Sequence, residues 1–502
     1  MVWGFGRTMI LTLGPFVVRT VLIYALSAEY SGLNSLFSSI LSILSLTELG
    51  FSNAIVYSMY KPVAEDDKKK ICALLNIYKK AYRYIGLIIL TAGLAITPFL
   101  PKLIKGTVPG DINLFALYYI YLFNTVISYF LFAYKTSLLS AFQREDIVSR
   151  NTLLANVLLY AAQVIVLLAF HNYYYYVIFV PITTILLNLL NSREVDRLFP
   201  DYKPEGTVTQ EEKAELKKNL TGLMIWKIGG ATRNTFDSIV ISAYLGLTAV
   251  AIYNNYFMIM NGVNTLLSVI STSIAAGVGN KMASASRKEN YQDFLKIHFM
   301  YLWIASWVAV CLLCLYQPFM KIWMGEDLMF PNYMIPLFCY YFFMMKEGDI
   351  NSVYYQAAGL WWYGRWRSLI EAVMNLSLNL ILGYYFGVVG ILLATIISFS
   401  IISVYGSGII YWHYFTEEKY REFWKINFKF MFATVLSGAA TYFMCRWLNQ
   451  ILGTGDWAHF LINLLVCVLV PNLVFLPLLR SDEQFQPAVS FLKNLVAKIR
   501  NR

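Results

Sequence analysis

The sequence predicts an all-α polytopic membrane protein: about fourteen transmembrane helices, as two parallel-repeat six-helix lobes followed by a C-terminal helix pair. Three observations carry this expectation. The 502 residues are 58% hydrophobic and only 14% charged, with a mean hydropathy of +0.55, a balance that water-soluble domains of this length do not reach. Apolar runs long enough to cross a bilayer recur along the chain. The lysines and arginines fall in alternate loops between those runs.

The runs lie at roughly 9–28, 34–58, 83–105, 113–137, 151–171, 174–191, 220–245, 249–278, 296–317, 331–357, 368–385, 389–412, 424–448 and 458–478, against the ~20 residues a spanning helix needs. The first has Arg7 before it and small residues near its end, like a secretory leader. Arg19 interrupts its core and a second run follows at once, so it reads as a retained helix. Loops 59–82, 138–150, 192–219, 279–295, 358–367, 413–423 and the tail, with their flanks and Arg7, hold about 30 of the 40 Lys and Arg. The opposite loops hold about four, among them Lys102, Lys105 and Lys321. This asymmetry predicts both termini in the cytoplasm, and the outer connections are very short. The net charge of +11 is then the positive-inside signal, and no nucleic-acid partner is expected. Aromatics make up 17% and gather at segment ends, as at Tyr173 to Tyr176 and Trp361-Trp362-Tyr363, where side chains meet lipid headgroups.

The halves repeat. Pro98-Phe99-Leu100-Pro101-Lys102 opens the end of segment 3 and Pro318-Phe319-Met320-Lys321 that of segment 9, with the prolines 220 residues apart. Gly106 and Gly325 are 219 apart, as are Asn156 and Asn375. An offset of six helices preserves orientation, so the repeats are parallel. The expected division is an N-terminal lobe at 1–191, a cytoplasmic linker at 192–219 with Pro200 and Pro204, a second lobe at 220–412, and a final hairpin and tail at 413–502.

Segment 7 is the informative one. Its 26 residues, 220–245, hold Lys227, Arg233, Asn234 and Asp237, which at about 100° per residue fall within an arc of about 120° that also contains Gly230. A charge at mid-bilayer costs about 2.5–3.5 kcal/mol, so this arc faces protein or water, either as a polar transport cavity or as an Arg233–Asp237 pair locking helices. Arg19 lies mid-way along segment 1, the corresponding opening helix of the other lobe. Cations converging in low dielectric without enough carboxylates need an anion, and guanidinium suits phosphate or pyrophosphate. Arg19, Lys227, Arg233 and Lys346 are the candidate substrate-binding cations. Glu347 and Asp349 partly balance Lys346 and serve as a structural network or a coupling-ion site, with Asp237 and Asn234 in the same role. Glu48 beside Gly50 reads as structural, and Lys135 as a side chain reaching the cytoplasmic interface.

No Walker, H-E-x-x-H or nucleophile-elbow motif occurs, no catalytic residue is assigned, and the four histidines are scattered. No cofactor is expected beyond a coupling Na+ or H+. Cys311 and Cys314 form a C-x-x-C on an apolar helix without a histidine or second pair nearby, and read as small core residues rather than a metal or redox site.

Three stretches resemble a known family: Glu29-Tyr30-Ser31-Gly32-Leu33-Asn34-Ser35-Leu36-Phe37, then Ser42-Ile43-Leu44-Ser45-Leu46-Thr47-Glu48-Leu49-Gly50, then Tyr60-Lys61-Pro62-Val63-Ala64-Glu65. They are similar to the opening of bacterial polysaccharide flippases of the Wzx type, in the multidrug/oligosaccharidyl-lipid/polysaccharide (MOP) exporter superfamily. Asp237-Ser238-Ile239-Val240-Ile241-Ser242, with Leu245-Gly246 and Tyr253, resembles that family's segment 7 and the start of segment 8. The resemblance implies a MATE/MurJ-like fold and a flippase, not an enzyme, that moves an undecaprenyl-pyrophosphate-linked oligosaccharide to the outer leaflet for capsule, exopolysaccharide or other surface glycan. It implies the lipid bilayer and polysaccharide polymerase or assembly proteins as partners, with Arg19 as counterpart of the first-helix arginine of lipid II flippases. Alternatives are a lipid II-type or teichoic/teichuronic precursor flippase, a MATE-like multidrug exporter, a membrane glycan polymerase and a non-transporting scaffold. Basic cavity residues weigh against the exporter, and short outer loops against the polymerase.

Overall fold

Backbone that crosses hydrocarbon must satisfy its own N–H and C=O groups, which leaves helices for a chain with these apolar runs. The computed structural model describes residues 2–48, 51–210, 235–452 and 455–491, and among them no strand occurs. The helices are α1 (Val2–Ala25), α2 (Ala28–Leu44), α3 (Phe51–Ala64), α4 (Lys68–Ile96), α5 (Leu114–Phe130), α6 (Thr136–Ala141), α7 (Glu145–Phe170) and α8 (Tyr173–Leu198). Then come α9 (Thr235–Leu245), α10 (Leu247–Ser284), α11 (Arg287–Met324), α12 (Ile335–Glu347), α13 (Asp349–Ala357), α14 (Arg367–His413), α15 (Tyr420–Leu452) and α16 (Asp456–Leu479).

Ten of the described helical stretches are long and apolar enough to cross a membrane, or eleven when α5 and α6, bent by 50°, count as one span. Several expected spans take other forms. Segment 34–58 is interrupted: α2 gives way to a 3-10 turn over Ser45–Glu48 before α3 begins. Segment 7 is described only from Thr235, as α9. Segments 368–385 and 389–412 are the two arms of α14, parted at Gly387, whose φ of +59° and ψ of −137° are not helical. Positive φ is a conformation glycine adopts without penalty. The chain folds back so sharply there that a Cβ on Gly390 would collide with the carbonyl of Leu382.

Side chains close the ends that membrane-interface helices leave unsatisfied. Asp67 accepts from the Lys70 amide at 3.0 Å and Asn113 from the Ala116 amide at 3.0 Å. Ser286 and Glu289 form a reciprocal capping box that starts α11.

The chain divides into two units, one of residues 1–255 with 365–391 and the other of 256–364 with 392–502. In the first, α1 packs on α7, α7 on α8, and α8 on α5. Its core holds Leu33, Leu36, Phe37, Tyr118, Leu167 and Tyr173, all fully shielded. Gly32 of α2 meets the backbone of Leu247 at the start of α10, with no room for a Cβ. In the second unit α11 is the central post, flanked by α12, α15 and α16. Its core is aromatic, with Tyr256 stacked on Phe338 at 5.3 Å and Phe299 edge-on to Phe430 at 5.0 Å.

Gly32→Val is expected to destabilise the protein by about 1–3 kcal/mol, because backbone cannot yield to the added methyls. Thermal unfolding of the purified protein in detergent measures it, and an unchanged midpoint would mean that α2 and α10 stand farther apart.

Candidate functional site

The first unit contains two buried polar centres. In the first, Arg19 projects from the C-terminal half of α1 into packed protein and is 8% exposed. Its Nε donates to Asn255 Oδ1, one terminal nitrogen donates to the Ala251 carbonyl at 3.1 Å, and the other reaches Ser35 Oγ at 3.5 Å. Asn255 and Ala251 lie one turn apart on α10, so a single helix face presents both acceptors. All of these partners are neutral. They satisfy guanidinium donors without neutralising its charge, which leaves a cation in low dielectric with an unmet preference for an anion. Polar side chains of other helices continue nearby: Tyr121 donates to Asn34 Oδ1 at 2.7 Å and meets the Tyr173 hydroxyl at 3.0 Å.

In the second centre Asp237, on α9, has no exposure. Tyr253 of α10 donates to its Oδ2 at 2.5 Å and Asn379 of α14 to its Oδ1 at 2.6 Å. The same Asn379 amide reaches Asn375 Oδ1 at 3.2 Å, one turn away. Asn379 Oδ1 is buried and has no hydrogen-bond partner among the described residues. Helices α9, α10 and α14 thus meet at one buried carboxylate.

In the second unit, the expected continuous segment 331–357 breaks at Gly348 between α12 and α13. Lys346, 3% exposed, ion-pairs with Asp349 at 2.6 Å, and Tyr301 of α11 donates to the same Asp349 oxygen at 2.5 Å. Glu347 is 2% exposed and its Oε1 has no partner among the described residues. A carboxylate so placed would be costly as an anion.

Of the other expected residues, Glu48 accepts from Tyr82 at 2.8 Å and from Tyr129 at 3.2 Å, in a tyrosine cluster at the break between α2 and α3. Lys135, beside α6, donates to both oxygens of Asp196 at 2.6 and 2.7 Å and to Ser192 at 3.0 Å. Lys227, Arg233 and Asn234, with Gly230 and the tail of the linker, lie outside the described residues.

The structure thus brings Asp237 together with Tyr253, Asn375 and Asn379, and gives Arg19 the partner Asn255. Asn255 and Asn379 had not been singled out in the sequence, although an asparagine inside an apolar run is itself a signal of a buried polar contact, and Asn375–Asn379 stand at i, i+4. Tyr253→Phe is expected to cost about 1–3 kcal/mol of thermal stability, since it removes a donor from a buried carboxylate. An unshifted unfolding midpoint would mean that Asp237 finds its satisfaction elsewhere.

No family model and no curated relative matches the chain in sequence. Solved structures do match in fold. One described as lipid II flippase MurJ in an inward closed conformation superposes with a TM-score of 0.66 at 16% identity, covering 96% of this chain and 99% of that one. An inward-facing multidrug resistance MATE family transporter of the MOP superfamily gives 0.56 at 15% identity, covering 81% and 98%. A MOP superfamily transporter from Pyrococcus furiosus gives 0.51 at 13% identity, covering 81% and 92%. The chain is therefore a multi-pass, all-α membrane protein with the MurJ/MATE fold.

Proposed function

We propose that this protein is an alternating-access flippase that carries an undecaprenyl-pyrophosphate-linked oligosaccharide from the cytoplasmic to the outer leaflet of a bacterial cytoplasmic membrane. The observation that carries the reading is Arg19, a buried guanidinium whose hydrogen-bond partners among the described residues are all neutral. A pyrophosphate would replace those acceptors with charge-assisted, bidentate bonds. Arg233 and Lys227 of segment 7 are the further cations of this reading, and Lys346 is a candidate that the Asp349 ion pair already neutralises. The near-complete overlap with a lipid II flippase, 96% of this chain, supports a lipid-linked substrate over a free one. The lobes run over 1–191 and 220–412, and both termini are cytoplasmic. Polymerase and assembly proteins take over the delivered unit.

Asp237 with Asn375 and Asn379 holds the coupling cation, Na+ or H+. Glu347, whose Oε1 has no partner among the described residues, and Asp349 are the second carboxylate pair proposed for such a role.

Binding of undecaprenyl-pyrophosphate oligosaccharide to the purified protein tests the anion site. Arg19→Ala and Arg233→Ala should each weaken it about 10- to 100-fold, the worth of a charge-assisted bond. Undiminished affinity in both variants, or preferential binding of organic cations by the wild type, would overturn the reading in favour of a drug exporter. For the coupling site, sodium should raise the unfolding midpoint relative to potassium in the wild type and not in Asp237→Asn. An equal response in the two proteins would remove Asp237 from that role, and no sodium response in either would point to protons.

A further inference from the structure

Four of the six cysteines converge in the second unit. Cys311 and Cys314 stand on one face of α11, Cys445 on α15 and Cys467 on α16. The Sγ atoms of Cys314, Cys445 and Cys467 all lie within 4.8 Å of one another, all three residues are buried, and none is in a disulfide. Three helices far apart in sequence thus present three sulfurs to one point.

Backbone chemistry holds them there. Pro318 stands four residues after Cys314 and Pro471 four after Cys467, and a proline cannot supply the N–H that the earlier carbonyl expects. Each released carbonyl is taken by a neighbouring helix. Asn463 of α16 reaches the Cys314 oxygen at 3.5 Å, while Trp307 Nε1 and the Cys311 thiol of α11 donate to the Cys467 oxygen at 2.7 and 3.8 Å. Asn449 of α15 donates to Asn463 Oδ1 at 3.0 Å. The register of all three helices is therefore set by bonds one turn or less from the sulfurs.

We propose that Cys314, Cys445 and Cys467 form a trigonal thiol site for a soft monovalent d10 cation of the copper(I) class. Ligand softness and number select it: three sulfurs without a nitrogen or oxygen donor in the set suit Cu(I), whereas zinc takes four ligands. The spacing agrees, since a metal–sulfur bond of about 2.3 Å places three trigonal sulfurs about 4.0 Å apart. On binding, three S–H bonds break, three metal–thiolate bonds form, and three protons leave to solvent, one from each ligand; no oxidant or reductant is consumed. The bound ion would staple the α15–α16 hairpin to α11.

The test uses full-length protein in detergent under reducing conditions, with Cu(I) supplied from a chelator and Ag(I) as a redox-inert counterpart. The expected result is one ion per chain, a shell of three sulfurs in the X-ray absorption spectrum, and a higher unfolding midpoint. Cys445→Ala and Cys467→Ala should weaken binding roughly a hundredfold, while Cys72→Ala leaves it unchanged. Equal retention by the ligand variants, a two-coordinate or nitrogen- and oxygen-containing shell in the wild type, or preference for Zn(II) would each overturn the proposal. Because the absorption spectrum is read on the wild type, a variant that does not fold leaves the decision intact.

Discussion

A charge or an unpaired peptide group in hydrocarbon has no water to turn to, so protein must answer it, and most of the polar architecture of this chain follows from that constraint. The answers differ in kind. Lys346 is neutralised by Asp349, and Lys135 by Asp196 at a helix end. Among the described residues, Arg19 is solvated by an asparagine, a serine and a backbone carbonyl, all neutral. The first kind leaves a neutral ion pair. The second keeps a cation soluble in protein while leaving its charge available, which is what a transient anionic cargo requires.

The same constraint acts on the backbone. Prolines inside α11 and α16 remove N–H donors in mid-helix, and the freed carbonyls of Cys314 and Cys467 are satisfied across the helix interface instead. A loss that would destabilise an isolated helix thereby becomes a tie between helices. Glycines serve the complementary purpose. Gly387 takes the one backbone conformation that lets α14 reverse, and Gly32 lets α2 and α10 touch backbone to backbone.

In the coupling role proposed for it, Asp237 joins these themes to function. Tyr253, Asn379 and, through it, Asn375 surround a carboxylate that no solvent reaches. Such a site can change state only when the helices carrying it move or a cation enters, and either event would couple ion occupancy to conformation. The two polar centres, Arg19 with α10 and Asp237 with α10 and α14, share the first turns of one helix, where Tyr253 and Asn255 point to different partners.

Composition, hydropathic runs and the alternation of basic loops were enough to read a polytopic helical membrane protein, because the bilayer imposes length and polarity on each segment by itself. Arg19, Asp237, Lys346, Glu347 and Asp349 could be singled out for the same reason: an ionisable group in an apolar run is anomalous wherever its partner lies. What no run could disclose was the partner. That Asp237 meets Asn379, 142 positions away, that Lys346 is satisfied within its own turn while Arg19 is not, and that a C-x-x-C on α11 gathers two further cysteines from α15 and α16 were all decided by packing. Spacing along a helix determines which residues share a face, but which face of which other helix lies opposite depends on the lateral fit of side chains, and that is a property of the assembled bundle alone.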